Sequence, residues 1–586
     1  MKADAVAGPE PGQRRLNGPQ TTGRAYRDLS PAEHRIVTEL DVAVPTEGGR
    51  TLLADVLRPD TDDPVPALVA ASPYPRQIQN SGAPLGFVEA GASDFWVPRG
   101  YAHVLANVGG TGGSDGTFGL LDTPERRDLH DLVEWAASQP WCDGQVGMIG
   151  ISYFAMAQLA AAIERPPHLR ALFAVATSSD LYELVMHNGA VNARFLMGWT
   201  TALGAVNSRD PQTFRRHALE LVEEVLRSPV VHHRFEHLNG ESAMKVLSGV
   251  ARVPYDAEPW DHLYEAFLID HPLRDDFWDE RDSAPHLHRI EVPVYLGCDW
   301  NNVPVHLPST FTTWAALHDR VPSRLGLLAA DGLTWPWESL HVEALAWFDH
   351  WLKERDTGIL EGPPVRYWLP GADTYEVSET WPPPGTRLVE LALRADGTLH
   401  PDEGRPGDRA YRRIPPPLRR PHAHPPTLPA SLQWDTEPFA VEVDLAGPIE
   451  LRLEATTTAT DTVFMATLQL VAADGTTVTD LTAGWLRAAL RALDEERSRP
   501  GSPVLSCREA RPVVPGERVV YRIPIVPTAR RIGVGERLRL LIASDDVTDG
   551  PAPSGLSHAP PDAAARNTVH SASRLLVSTN APTLPT

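Results

Sequence analysis

The stretch Gly147-Met-Ile-Gly-Ile-Ser-Tyr-Phe-Ala155 decides the fold. Residues 145–150 form a short apolar run that reads as a strand, and the alanine-rich segment from Tyr153 to Glu164 reads as a helix. Ser152 stands at the junction, and Gly150 supplies the small residue that a tight strand-to-helix turn needs. Such a turn lifts the Ser152 hydroxyl above the end of a sheet. It also sets the hydroxyl at a helix N-terminus, where backbone N–H groups favour a developing anion. The generic elbow, Gly-x-Ser-x-Gly, would place a second glycine at 154, where this chain has Phe154 followed by the small Ala155. Taken alone, the motif also fits an ordinary strand-to-helix turn with a capping serine.

The sequence on either side continues the alternation. Residues 40–59, LDVAVPTEGGRTLLADVLRP, read as a β-hairpin around Glu-Gly-Gly. Apolar runs at 67–72 and 101–108 follow, then a helix with Thr123 expected as its N-cap, Pro124 at the first helical position and a period marked by Leu129, Leu132, Val133 and Ala136. The pattern resumes at 292–297 and 325–330 and ends with a helix over 338–354. Strands alternating with helices predict a mostly parallel sheet covered on both faces. Between these halves, stretches such as ALELVEEVLRS and DHLYEAFLID predict a helical insertion. After about residue 363 short alternating runs with turn residues between them predict a β-sandwich. The expected organisation is a disordered lead-in over 1–34, an α/β domain from 35–180 and 290–362, a helical cap over 181–289, and a jelly-roll sandwich over 363–586. The proline-rich stretch 401–429 is expected to lack regular structure.

Bulk properties narrow the function. A chain of 586 residues exceeds one core and predicts two or three domains. Acidic residues outnumber basic ones by 76 to 53, a formal charge of −23 that opposes adhesion to nucleic acid or anionic lipid. The first thirty residues carry no apolar core of a signal peptide, and no run reaches the roughly 20 apolar residues that span a bilayer. Cys142, Cys298 and Cys507 are scattered without metal-ligand spacing, which fits a reducing cytoplasm. Lysine occurs only at 2, 245 and 353, which reads as the codon bias of a GC-rich bacterial genome. No metal, nucleotide or flavin site is expected. The glycine-rich stretch 110–116 has no P-loop lysine. The expected partner is a small-molecule substrate, with no nucleic acid and no membrane, and a homodimer is the one assembly entertained.

Gly150-Ile-Ser-Tyr-Phe-Ala155, preceded by Trp141-Cys-Asp-Gly-Gln-Val-Gly147, resembles the Gly-x-Ser-Tyr-x-Gly elbow of the cocaine esterase and X-Pro dipeptidyl-peptidase family of α/β-hydrolases. That family includes glutaryl acylases and α-amino ester hydrolases. Ser72-Pro-Tyr-Pro-Arg76 resembles the family's oxyanion-hole loop, and Gly110–Gly116 its glycine-rich loop, although Gly109 stands where relatives often carry arginine. Ala346-Trp-Phe-Asp-His-Trp-Leu352 resembles the closing helix, and Thr482–Arg487 and Val526–Ala529 resemble jelly-roll motifs. The resemblance runs from about residue 35 to the end. It implies Ser152 as nucleophile, with the Tyr74 hydroxyl and the Tyr153 backbone N–H as oxyanion donors.

The same resemblance exposes departures. The family's triad acid follows a strand in a pattern whose tryptophan aligns with Trp300, and this register puts Asn302 at the acid's position. Asp299 could replace it only if the loop bends differently. The family's base stands in Gly-Pro-Trp-x-His, and the corresponding stretch 327–337 contains no histidine, with Pro336 or Trp337 at that position depending on the anchor. His306 and His341 are the candidates for a relocated base, and each otherwise reads as a surface or interface histidine.

Three functional readings follow. The first is an enzyme acting on an acyl or carbonyl small molecule by an altered or non-hydrolytic mechanism, in bacterial specialised metabolism. The second is a conventional serine esterase, amidase or acylase with a relocated base. The third is a catalytically inactive binding protein. A histidine nitrogen within reach of Ser152 distinguishes them. The cap aromatics Trp199, Trp260, Phe267 and Trp278 suggest an apolar ligand and fit ordinary helix packing equally well.

Overall fold

In the computed structural model, which describes residues 22, 24–79, 89–207, 260–329, 340–415, 428–546, 558, 561, 563–581 and 584, the expected hairpin is present. Its strands are β1 (Ile36–Pro45) and β2 (Thr51–Pro59), with a bulge between Glu39 and Val42. Next come β3 (Val65–Ser72), the single-turn helices α1 (Arg76–Gln79) and α2 (Ser93–Trp96), β4 (Ala102–Asn107), α3 (Thr123–Ala137), β5 (Cys142–Ile151), α4 (Tyr153–Glu164) and β6 (Leu169–Val175). An inserted helical region contributes α5 (Leu181–Met186), α6 (Ala193–Asn207), α7 (Trp260–Glu265) and α8 (Asp276–Arg281). The ALELVEEVLRS stretch lies outside the described residues. Then follow β7 (Val294–Asp299), α9 (Leu307–Leu317), β8 (Ser323–Leu328), α10 (His341–Lys353), β9 (Val365–Leu369) and β10 (Thr374–Ser378).

These strands form one ten-stranded sheet in the order β1-β2-β4-β3-β5-β6-β7-β8-β9-β10, parallel from β4 to β9. The continuous apolar runs Ala67 to Ala71 and Val146 to Ile149 are the signature of strands buried on both faces, and only Gly147 breaks the second. A Cβ at Gly147 would come within 2.7 Å of the Phe348 ring of α10, so the glycine lets helix and strand approach closely. The sheet continues past the expected boundary at 362: β9 and β10, read from sequence as sandwich strands, extend its far edge. Alternation alone cannot say which sheet a strand joins.

Beyond Arg387 eleven strands among the described residues form a seven-stranded and a four-stranded sheet, both antiparallel. Within the proline-rich stretch, Asp408–Arg413 is a strand paired with Ala565–His570, contrary to the expectation of no regular structure. That six-residue window contains no proline, which allows the pairing. The helix of α3 is capped by Asp122, which accepts from the Glu125 N–H, and Thr123 occupies the first helical position. The lead-in also differs from expectation where it is described. Thr22 bonds to Glu343 through its N–H and hydroxyl, Ser30 bonds to Asp349, and Arg27 pairs with Asp356. Buried carboxylates on α10 thus give Thr22 and Ser30 partners, which composition could not reveal. Among the described residues no helix is long and apolar enough to cross a membrane.

Candidate active site

The site lies beyond the carboxyl ends of the parallel strands, where open α/β sheets bind ligands. β5 ends at Ile151, and Ser152 makes the turn into α4 at φ 60° and ψ −119°. This conformation costs a non-glycine residue about 1–3 kcal/mol and persists only where its surroundings enforce it. They do so here. The Ser152 N–H is held by the Val175 carbonyl at 3.0 Å, and its own carbonyl accepts from Ala155 and Met156 in the first turn of α4. Gly150 has φ 147°, and a Cβ there would come within 2.1 Å of the Phe154 Cβ. The elbow therefore accepts Phe154 in place of its second glycine but needs Gly150.

His306 stands two strands away, at the end of the loop from β7 to α9. Its Nε2 is 3.1 Å from the Ser152 hydroxyl, and its Nδ1 is 2.8 Å from the hydroxyl of Ser178, in the loop that follows β6. His306 and Ser178 are both buried. Ser178 accepts the Nδ1–H, which leaves Nε2 as the nitrogen able to take a proton from Ser152. The Ser178 hydroxyl is in turn 3.4 Å from the Val305 carbonyl. Burial pushes the His306 pKa down to about 3, so the ring is neutral at pH 7.

Of the other candidates, Asn302 does not touch the imidazole. Its side-chain oxygen accepts from the His306 backbone N–H at 2.9 Å, and its carbonyl takes the N–H groups of Val305, His306 and Leu307. Asn302 therefore closes the turn that presents His306, and a carboxylate's place beside the ring is filled by Ser178. Asp299 is buried at the end of β7, and both ring nitrogens of His306 are already taken by serines. His341 is not at the site. It is fully buried in α10 with its ring stacked on Phe95 at 4.4 Å and edge-on to Trp96. The positions of Pro336 and Trp337 lie outside the described residues. Sequence reasoning missed Ser178. The available signal was the polar run Thr177-Ser178-Ser179-Asp180 directly after the strand that flanks the elbow strand.

Tyr74 follows β3, on the other side of β5, and its hydroxyl interacts with Ser152 and accepts from the Trp199 indole at 3.2 Å. Burial pushes its pKa up, so it remains a proton donor. The Tyr153 N–H is in the first turn of α4, where N–H groups have no intrahelical acceptor. The Tyr153 side chain turns away and donates to Glu125 at 2.6 Å, and burial pushes that carboxyl up to about 8. The pocket over Ser152 is small, about 30 Å³, and apolar. Leu120, Met156, Leu184, Phe195, Trp199 and Phe267 contribute to its wall, and none of its described lining residues is an Asp, Glu, Lys or Arg. Trp260 stacks on Phe118, and Trp278 packs against Tyr182. Of the four cap aromatics singled out in the sequence, Trp199 and Phe267 thus line the pocket while Trp260 and Trp278 pack against other aromatics.

Comparison with known proteins matches residues 48–338 to the X-Pro dipeptidyl-peptidase (S15 family) model, and residues 358–574 to the X-Pro dipeptidyl-peptidase C-terminal non-catalytic domain. The chain is 26% identical to a cocaine esterase of Rhodococcus over 62% of its length and 63% of that protein's. It therefore spans a little under two thirds of that relative. It is 23% identical to a putative serine esterase of Mycobacterium bovis over 81% of the chain and 83% of the relative. A CocE/NonD family hydrolase from Staphylococcus aureus superposes with a TM-score of 0.73 at 21% identity, covering 93% of this chain and 94% of that one. An α-amino acid ester hydrolase does so with 0.68 at 16% identity, over 95% and 98%.

Proposed function

This chain belongs to the cocaine esterase and X-Pro dipeptidyl-peptidase family of α/β-hydrolases, a family of serine hydrolases, and we propose that it hydrolyses a small ester with an apolar acyl group, using His306 as a relocated base. The observation that carries this reading is the contact between His306 Nε2 and the Ser152 hydroxyl at 3.1 Å, with Ser178 at 2.8 Å on the opposite nitrogen. Ser152 Oγ attacks the acyl carbonyl and its proton passes to His306 Nε2. The Tyr74 hydroxyl and Tyr153 N–H take the oxyanion. Collapse breaks the bond to the alkoxy group, which leaves with the proton from His306. Water then enters, is deprotonated by the same nitrogen, and releases the acid.

The expectation of a non-hydrolytic mechanism rested on a missing base, and a histidine within reach favours hydrolysis. The apolar, uncharged wall supports an acyl group without an ammonium or carboxylate, because a charge buried there would have no counterion among the described lining residues. Incubation with p-nitrophenyl esters of short acyl chains tests the reading. The expected result is release of nitrophenol together with one equivalent of free acid, abolished in Ser152→Ala and in His306→Ala. Turnover that survives His306→Ala, or acyl groups recovered only in transferred or eliminated products, would reject it.

A further inference from the structure

The His306 loop is fastened from the C-terminal β-domain. Two residues before His306, the carbonyl of Pro304 accepts from His187 Nε2 at 2.7 Å and from the Asn192 side chain at 3.2 Å. His187 Nδ1 lies 2.8 Å from His558 Nε2, and His558 Nδ1 lies 2.9 Å from Asp546 Oδ1, whose other oxygen accepts from the His558 backbone N–H. Both imidazoles are buried, and Trp485 stacks on His187 at 4.4 Å. The turn carrying His187 is pressed onto the same domain. A Cβ at Gly189 would meet Leu490 and Arg487 within 2.7 Å, and Asn188 donates to the Trp485 carbonyl.

The chain of contacts fixes its own protons. Pro304 can only accept, and so can an ionised Asp546, so His187 Nε2 and His558 Nδ1 must each carry hydrogen. The contact between the two rings needs one more. Three hydrogens on two imidazoles make one of them a cation, balanced by Asp546. Burial drives the His187 pKa well down, and the hydrogen bonds and charge of His558 overcome burial to hold Asp546 below the ordinary range. Neither ring touches Ser152 or the pocket, so the mechanism above leaves the arrangement unused.

We propose that Asp546, His558 and His187 form a positioning relay by which the C-terminal β-domain holds the Pro304 carbonyl, and with it His306, at the distance from Ser152 that acylation needs. The relay rests on the reading of Ser152 and His306 as nucleophile and base. The same three links give it direction: the carboxylate orients His558, His558 presents a hydrogen to His187, and His187 is thereby fixed as a donor to Pro304. Removing His558 takes the donor from His187 Nδ1 and frees the ring to turn its lone pair toward the carbonyl, which then keeps only Asn192.

The test is the second-order rate of Ser152 modification by a fluorophosphonate, together with kcat and KM on a p-nitrophenyl ester, in the full-length protein. His558→Leu, which removes the donor to His187, should lower the modification rate and kcat about tenfold, within the range of couplings between distant sites, with KM and melting temperature little changed, whereas Asp546→Asn, whose amide can donate to His558 Nδ1, should stay within about twofold of the parent. His187→Gln keeps a donor for Pro304 but cuts the link to His558. In that background His558→Leu should have no further effect, and the same should hold in His306→Ala. Modification within twofold of the parent in His558→Leu, or additive losses with His187→Gln, would overturn the relay. A loss of rate that only tracks a loss of melting temperature would also overturn it. If Ser152→Ala still turns over ester, the active-site reading fails first and the relay with it.

Discussion

Replacing Ser178 isolates the least familiar part of the site. During acylation His306 becomes an imidazolium in a buried pocket where, among the described residues, its Nδ1 faces a neutral hydroxyl at 2.8 Å. A hydrogen bond to a charged group contributes about 1.5–3 kcal/mol, and about 1.4 kcal/mol corresponds to tenfold in rate. Ser178→Ala should therefore lower kcat about 10- to 100-fold while leaving KM near the parent value, because Ser178 faces the far side of the ring from the substrate. Ser178→Asp should act in the opposite sense. A carboxylate stabilises the imidazolium far better than a neutral group, by a factor of about 10⁴ in serine proteases. Part of that gain is spent on burying the new charge, so a rise of roughly tenfold is expected. The assay is steady-state hydrolysis of a p-nitrophenyl ester, with circular dichroism to confirm folding. A Ser178→Ala variant within twofold of the parent would refute the assignment of Ser178 as the group that orients His306.

Two further outcomes follow from the same geometry. Because burial holds the His306 pKa near 3, kcat/KM should stay level from pH 8 down to about 5, whereas a base at the ordinary 6.5 would lose about thirtyfold there. The stability sign is opposite to that of an ion-paired histidine: the unfolded chain takes up this proton near pH 6.5 and the native one does not, so stability is full above 6.5 and declines as pH falls toward 3. A pH titration of urea midpoints, compared with His306→Asn, reads this difference. Asn302→Asp should leave kcat within a few-fold of the parent, since either side chain accepts from the His306 N–H, while Asn302→Ala should cost about 1 kcal/mol in unfolding free energy by removing the hydrogen bond that closes this turn.

What the sequence revealed followed from local chemistry. The strand and helix around Ser152, the helix start at Tyr153 and the hairpin read over 40–59 depend on neighbours a few residues apart, and the structure has them there, with the hairpin's first strand beginning four residues earlier at Ile36. Tyr74 was recoverable from its flanking Ser72-Pro-Tyr-Pro-Arg76. The triad was not, because it depends on how three loops fall together. His306 and Ser178 are 128 residues apart, and His306 and Ser152 are 154 apart. The family register drew attention to the β7 loop and found Asn302, an amide, at the acid's position. His306 stands four positions beyond that, and Ser178 lies in the loop after the neighbouring strand β6. His341 could not be dismissed from sequence, since only packing shows its ring against Phe95. The docking of Thr22 and Ser30 on α10 was likewise hidden, because buried carboxylate partners more than 300 residues away leave no local trace.

The central claim is that Ser152 is activated by His306, and intact-protein mass spectrometry after a brief exposure to a fluorophosphonate at pH 7 tests it most directly. The account predicts one adduct per chain, mapped to Ser152, forming at least a hundredfold more slowly in His306→Ala, in keeping with the loss expected when a general base is removed. Labelling of Ser152 at an unchanged rate in His306→Ala, or no adduct at Ser152 in a folded parent protein, would contradict it.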